Sequence, residues 1–293
     1  MIGFAYVKSL LNRPMAGTDY RTLVVKKSLK VTPHMQRVIF TGDDLTDFPE
    51  NYESGYVKLL FANDGEAIGD KNRVQEKHLK RTYTVRSFSR ADNELGIEFS
   101  LHGSKSGPAA RWAESTRPGD KILMGGPGPT KLANHTSDWF LLASDMSGLP
   151  ALCCNLELLP GQAQGYAVVE VPSEADKQFL KVPNGIDVKW VVSDKPGENP
   201  DALLGTIKSL PWKDGKPYVW VACEFESMKR IRQYMKDSRN IESENMYISS
   251  YWKFARTEDQ HRIDKQIDAG APWFIQFLWN LKTNFQKILP LGK

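Results

Sequence analysis

The feature that most constrains the fold is a change of pattern close to Asn134. Before it, from Arg21 to Met124, short β-branched or alternating runs are separated by turn residues: TLVVKKSLKV, MQRVIFTG, YVKLLFA, RTYTVRSFS, LGIEFSLHG and DKILMGG. Alternation with a period of two is what a strand buried on one face requires, and six such runs at these spacings predict a small antiparallel barrel. Asn63 to Lys80 is polar with Gly65 and Gly69, which predicts a long surface loop. GPAARWAEST predicts one short helix, because Pro108 suits a first helical turn and is followed by alanines and a tryptophan.

After the turn-rich GGPGPTKLANHTSD the runs become continuously apolar and alternate with helical segments. They are WFLLASD, then LPALCCNLELL; YAVVEVP; IDVKWVVS, then ALLGTIKSL; YVWVACE, then MKRIRQYMK; and MYISSYW. Strands buried on both faces read in this way, so the second half is predicted to be a parallel sheet with crossover helices. The domain boundaries expected are 18–130 for the barrel, 138–254 for the α/β domain and 257–290 for a C-terminal helical extension. Within the last, Gln276, Asn280, Thr283, Asn284 and Lys287 recur at helical spacing among Trp273, Phe274, Phe277, Leu278, Leu281, Phe285 and Ile288. That pattern predicts an amphipathic helix, packed on its own protein or, alternatively, laid on a membrane surface.

Composition narrows the class. The 293 residues exceed one average domain, and 41% hydrophobic with 25% charged residues at a mean hydropathy of −0.45 supports packed cores and not a bilayer span. No apolar stretch approaches the roughly 18 residues of a spanning helix, and MIGFAYVKSLLNRPM lacks a signal-peptide layout, so the expectation is a cytoplasmic monomer with no transmembrane segment. Thirty-nine basic against 35 acidic residues leave a net charge of only +4, scattered, which argues against nucleic acid. Cys153, Cys154 and Cys223 sit in apolar runs and make no disulfide framework or CxxC pair, which fits a reducing compartment; Cys223 reads as a small buried hydrophobe. The five histidines form no HxxxH or HExxH pair, so no protein-bound metal is expected.

Two segments of the first half can carry chemistry. In RTYTVRS, a strand would place Arg81, Tyr83 and Val85 on one face and Thr82, Thr84 and Arg86 on the other; the alternative is an ordinary exposed strand. In LHGSKSGPAARWAE, Gly107 allows close backbone approach, Pro108 starts the helix, and small Ala109 and Ala110 leave their N–H groups open to an anion such as a diphosphate. Without GxGxxG or GxxxxGKS the segment is neither a Rossmann fingerprint nor a P-loop, and a merely capped helix is the other reading.

RTYTVR, HGSKSGPAARWA, PGDKILMGGPG, FLLASDMSGLPAL, VWVACEFESMKRIRQYM and ISSYWK, in that order, resemble the siderophore-interacting protein family of flavin-dependent ferric-siderophore reductases, over roughly Arg21 to Lys253. The resemblance implies a two-domain α+β chain: an antiparallel FAD-binding barrel of the ferredoxin-reductase type, then an NAD(P)H-binding α/β domain. It implies that Arg81 contacts the FAD phosphate, Tyr83 stacks on the isoalloxazine and Thr84 hydrogen-bonds near N5, with His102, Gly107, Ala109, Ala110 and Trp112 on the diphosphate and adenosine side.

In ASDMSGLPA, Asp145 and Ser147 match an acidic and a small hydroxyl residue common in the family, and either could equally serve as an N-cap. Glu224, Tyr251 and Trp252 stand at predicted strand ends and complete the nicotinamide-binding set, although the aromatic pair could instead be core. Glu174 and Asp176 lie where an NADPH 2′-phosphate would need a cation, which favours NADH, against which stands nearby Lys177. For a bulky anionic ferric siderophore the matching cations are Lys58, Lys131 and Lys253, each alternatively a solvated surface lysine.

The implied reaction passes electrons from NADH, or from NADPH or a ferredoxin, through FAD to the chelated iron, with no catalytic acid, base or nucleophile asked of the protein. A general NAD(P)H:flavin or ferredoxin oxidoreductase and a non-catalytic siderophore carrier are the rivals.

Overall fold

In the computed structural model, which describes residues 20–74, 78–102 and 107–270, the chain divides into two compact units. One comprises residues 20–29 and 36–130, the other 30–35 and 131–270. The amphipathic segment expected at 272–289 lies outside the described residues.

The first unit contains a seven-stranded sheet formed by β1 (Arg21–Thr32), β2 (Met35–Thr41), β3 (Tyr56–Phe61), β4 (Leu79–Thr84), β5 (Ser87–Ser89), β6 (Glu94–Ser100) and β7 (Lys121–Gly125), in the order β4-β3-β7-β1-β2-β6-β5. The β1–β7, β3–β4, β3–β7 and β5–β6 pairs are antiparallel. The period-two pattern is realised as burial. Leu23 and Val25, Val38 and Phe40, Val57 and Leu59, Leu95, Ile97 and Phe99, and Ile122 and Met124 all turn into one core.

RTYTVRSFS, expected as one strand, is two. The ladder with β3 ends at Thr84, where Val85 exchanges hydrogen bonds with Ser54 and Gly55. At the next residue Arg86 N–H donates to the Gly96 carbonyl, so the backbone transfers from β3 to β6. The two edge strands of the sheet are thereby joined through a two-residue corner. The expected loop 63–80 also ends earlier than its composition suggests, since Leu79 and Lys80 already pair with Phe61 and Leu60.

Helix α1 (Pro108–Ser115) lies on this core through Ala109, Ala110 and Ala113, whose small side chains let the helix backbone come close to the sheet. Trp112 adds an aromatic junction, with its ring 6.1 Å from Phe40, 6.3 Å from Phe61 and 6.2 Å from Phe99.

The second unit is a five-stranded sheet of β8 (Trp139–Ser144), β9 (Gln164–Val171), β10 (Gly185–Val192), β11 (Pro217–Glu224) and β12 (Met246–Trp252), in the order β10-β9-β8-β11-β12, with every pairing parallel. Helix α2 (Leu149–Leu158) follows β8, α3 (Ala202–Ser209) follows β10, α4 (Phe225–Asp237) follows β11 and α5 (Glu258–Asp268) follows β12. Side chains of β8 alternate between two cores: Phe140 and Leu142 join the α2 residues Leu149, Leu152 and Leu156, while Trp139, Leu141 and Ala143 join Leu203, Ile207, Met228 and Ile231 of α3 and α4. Strands covered on both faces explain the continuous apolar runs. Between β9 and β10 there is no α-helix, only a 3-10 turn at Glu174–Asp176. Among the described residues no helix is long and apolar enough to cross a membrane.

Ala113 is fully buried, so Ala113→Leu is expected to lower stability by about 1–3 kcal/mol through overpacking, whereas exposed Glu114→Ala should stay within about 0.5 kcal/mol. Thermal unfolding of both variants checks this. Equal shifts would mean that α1 is not seated on the core.

Candidate functional site

The site in the first unit is built on an edge strand and a helix start. Among the described residues β4 pairs only with β3, so a ligand laid against it can meet side chains from both faces of the sheet. Arg81 and Tyr83 stand opposite the core residues Leu59 and Val57, whereas Thr82 stands opposite Lys58. Lys58 is therefore a cross-strand neighbour of the RTYT segment, also in register with Gly125 of β7. Thr84 is only 8% exposed, and Arg81 Nη1 donates to the Lys80 carbonyl at 2.9 Å.

Phe99 connects this strand to α1: its ring lies 4.3 Å from Tyr83 and 6.2 Å from Trp112. Two segments far apart in sequence thus converge on one aromatic residue.

The helix start has the properties of an anion cradle. Gly107 is the N-cap of α1 and has no side chain with which to cap it, Pro108 is in the first turn, and a Cβ at Gly107 would meet nothing within 4 Å among the described residues. Orphan N–H groups beside open space attract an anion through both hydrogen bonding and the helix dipole. His102 is exposed just before this segment. Ser100 Oγ is buried without a hydrogen-bond partner at the end of β6, a polar atom that a bound ligand could satisfy.

Arg86, left unassigned by its position in RTYTVR, sits 3.8 Å from Oε2 of Glu98, a carboxylate 3% exposed. Arg37 Nε donates to Glu98 Oε1 at 2.9 Å and Arg37 Nη2 contacts the same oxygen. Two guanidiniums share one buried carboxylate beside the corner that ends β4.

In the second unit the expected residues converge at the carboxyl ends of β8, β11 and β12. Asp145 Oδ1 accepts from Ser147 N–H at 2.9 Å and Gly148 N–H at 3.1 Å, and its Oδ2 accepts from Trp252 Nε1 at 2.6 Å. Burial pushes the Asp145 carboxyl up to about 6 against these hydrogen bonds and one from the Glu224 backbone. Glu224 caps α4: its Oε2 accepts from Glu226 N–H at 2.6 Å and Ser227 N–H at 3.1 Å, and its Oε1 accepts from Phe254 N–H at 3.1 Å. Burial raises the Tyr251 phenol well above its usual range, with Tyr247 the next contributor, and Cys223 is wholly buried with its thiol pushed up by the same cause.

Glu170 is the member of this cluster that its sequence did not single out. It is 6% exposed in β9, and burial first, then the charge of Asp145, pushes its carboxyl up to about 7. The signal was available: a carboxylate inside the apolar run YAVVEVP.

Asp176 departs from its expected role. It is completely buried: its Oδ1 accepts from Thr32 Oγ1 at 2.8 Å and His34 N–H at 2.9 Å, and its Oδ2 accepts from Ser173 Oγ at 2.6 Å and lies 2.7 Å from His34 Nδ1, so its carboxylate is committed within the fold. Lys177 is paired with Glu174 at 2.7 Å. The charge argument for NADH is reduced to Glu174 alone.

The lysines differ in surroundings. Lys131 places its ammonium 5.9 Å from the Tyr247 ring centre, while its carbonyl accepts from Trp220 Nε1 at 2.8 Å. Lys253 lies 3.2 Å from Asp264 and 3.7 Å from Glu226, over the Phe225 ring at 4.2 Å, so carboxylates offset its charge. Nearby, buried His261 holds the Ser250 hydroxyl at 2.8 Å, and burial, then Lys265, lowers its imidazole to about 4. Among the described residues no group of three or more His, Cys, Asp or Glu side chains is placed to hold a metal ion.

Comparisons agree with this architecture. Residues 24–131 match the siderophore-interacting FAD-binding domain and residues 137–255 match the siderophore-interacting protein domain. The chain belongs to the siderophore-interacting protein family. It is 32% identical over 247 residues to ferric vibriobactin reductase ViuB of Vibrio cholerae, covering 81% of this chain and 90% of that one. It is 25% identical to the NADPH-dependent ferric-chelate reductase of Escherichia coli over 80% of this chain and 92% of that one. The crystal structure of the siderophore-interacting protein SipS from Aeromonas hydrophila superposes with a TM-score of 0.76 at 28% identity, covering 86% of this chain and 98% of that one.

The buried carboxyls predict a pH dependence. A carboxyl whose pKa is raised in the folded state loses stability as pH rises from its unfolded value toward the folded one, so Glu170 weighs against the fold most above pH 7. Glu170→Gln should stabilise the protein at pH 8 by up to ~3 kcal/mol, with most of the gain gone at pH 5. Denaturant titrations at both pH values read it, and a gain independent of pH would show that the carboxylate is not desolvated. His261 acts in the opposite sense, since it stays neutral in the fold and costs stability as pH falls from about 6.5 to about 4.

Proposed function

We propose that this chain is a FAD-dependent ferric-siderophore reductase that works in the cytoplasm. The observation that carries the reading is the convergence of the β4 segment and the α1 start on Phe99, within the region matched by the siderophore-interacting FAD-binding domain. The names of its relatives as ferric-chelate and ferric-siderophore reductases support the substrate class. Bound FAD would supply the conversion of a two-electron donor into single-electron steps that Fe(III) requires.

The residues have distinct tasks in this reading. Arg81 and the uncapped N–H groups of Ala109 and Ala110 neutralise the FAD diphosphate, Gly107 lets it approach, and His102 and Trp112 border the adenosine side. Tyr83, backed by Phe99, presents its ring to the isoalloxazine, and Thr84 offers a hydroxyl near N5. Lys58 and Lys131 attract the anionic chelate, with Lys253 a weaker contributor because Asp264 and Glu226 hold it. No protein ligand to iron is needed, since the siderophore's oxygen donors hold Fe(III) and its reduction to Fe(II) weakens that chelation.

Asp145, Ser147, Glu224, Tyr251 and Trp252 form the donor-facing end of the second unit. The donor we propose is a pyridine dinucleotide, NADH or NADPH, with ferredoxin the alternative.

Anaerobic titration of the yellow protein with NADH and NADPH, followed by stopped-flow mixing with ferric siderophore, tests the assignment. Bleaching by a dinucleotide and rapid recovery on adding the chelate is the expected result. A flavin that stays reduced marks a carrier, and turnover unchanged by Lys58→Ala marks a general flavin oxidoreductase.

The cradle has its own test. Gly107→Asp puts a good N-cap into open space at a φ of −69°, so it should leave the apoprotein as stable or slightly more so, while its charge weakens FAD binding at least about tenfold. Fluorescence titration with FAD measures it; unchanged affinity would place the diphosphate elsewhere.

A further inference from the structure

The order β10-β9-β8-β11-β12 makes the chain connections diverge between β8 and β11, and the carboxyl ends of two such strands are where open α/β sheets take nucleotides. The ligand's phosphates are normally received there by the free N–H groups of the following helix. In this protein those groups are already used. At α2, Ser147 and Gly148 N–H donate to Asp145 Oδ1 at 2.9 and 3.1 Å, Leu149 N–H donates to the Asp145 carbonyl at 2.9 Å, and Pro150 has no N–H. At α4, Glu226 and Ser227 N–H donate to Glu224 Oε2 at 2.6 and 3.1 Å.

Space is used as well. A Cβ on Gly148 would stand 2.1 Å from the Ala222 carbonyl oxygen, so the first turn of α2 lies flush on β11. The Trp252 indole closes the other side of Asp145 through its 2.6 Å hydrogen bond. Over that indole comes the β10–α3 loop, where a Cβ on Gly197 would meet the ring at 2.7 Å. The contrast is with α1, whose N-terminus starts at a glycine with nothing within 4 Å of its Cβ position among the described residues.

We infer that Asp145 and Glu224 are specificity-determining residues that exclude a nucleotide's diphosphate from the β8–β11 crevice, so that a dinucleotide donor engages through its nicotinamide end alone. The two carboxylates occupy the N–H groups by hydrogen bonding and repel phosphate by charge. The consequence for turnover rests on the proposed dinucleotide donor; the exclusion of diphosphate does not.

The test uses the FAD-loaded protein, in which the flavin's own diphosphate site is filled, and ADP as the probe. Calorimetry should show ADP binding to the unmodified protein in the millimolar range or weaker. Asp145→Ala, which frees the Ser147 and Gly148 N–H groups, should bind ADP at least about tenfold tighter. Asp145→Asn keeps the side-chain shape, removes its charge and should shift affinity the same way, which covers the case that the alanine variant does not fold. In the unmodified protein, reduced nicotinamide mononucleotide should reduce the flavin within about threefold of the NADH rate. Micromolar ADP affinity in the unmodified protein, variants that bind ADP no better, or a hundredfold advantage of NADH would each overturn the inference. A flavin reduced by neither NADH nor NADPH would defeat the proposed donor, and ADP affinity would still decide this point.

Discussion

Every helix begins with N–H groups that the helix itself cannot satisfy, and how those groups are satisfied organises this protein. At α1 the N-cap is a glycine with open space beside it, and the demand is left for an anion from outside. At α2 and α4 the demand is met from within, by Asp145 and Glu224. The same physics therefore yields a cradle in one unit and a closed edge in the other. The difference comes down to whether a carboxylate stands two or three residues ahead of the donors.

Buried charge is the second theme. Glu98 is tolerated because two arginines share it, and Asp176 because four donors surround it. Glu170 and Asp145 have weaker compensation and keep their protons more readily. Charges held in this way are costly, and their concentration at the carboxyl end of one sheet and at one strand corner separates these places from the uniformly apolar cores on either side.

Much of this was legible before any coordinates. Strand and helix segments follow the hydrophobic period, because each element must bury one face or both. RTYT and GPAARW also announce themselves, one by alternation of polar and aromatic residues on a strand, the other by small residues after a helix-starting proline. What periodicity could not show was that RTYTVRSFS breaks at Val85, since the break depends on Gly55 and Gly96 offering new partners. Nor could it show the fate of each acid. Asp176 looked like a charge set where a 2′-phosphate would need a cation and lies instead inside a network with Thr32 and His34, some 140 positions earlier.

The amino-acid sequence alone determined the order and type of the elements, the two-part architecture and the motifs that tie the chain to its family, because these depend on patterns within about ten residues or on motif order. Tertiary structure alone decided which polar groups remain free to act. Phe99 joining Tyr83 to Trp112 and Trp252 closing on Asp145 are long-range meetings. A hydrogen bond or an ion pair is local in space and indifferent to separation along the chain, so no reading of spacing could foresee those partners.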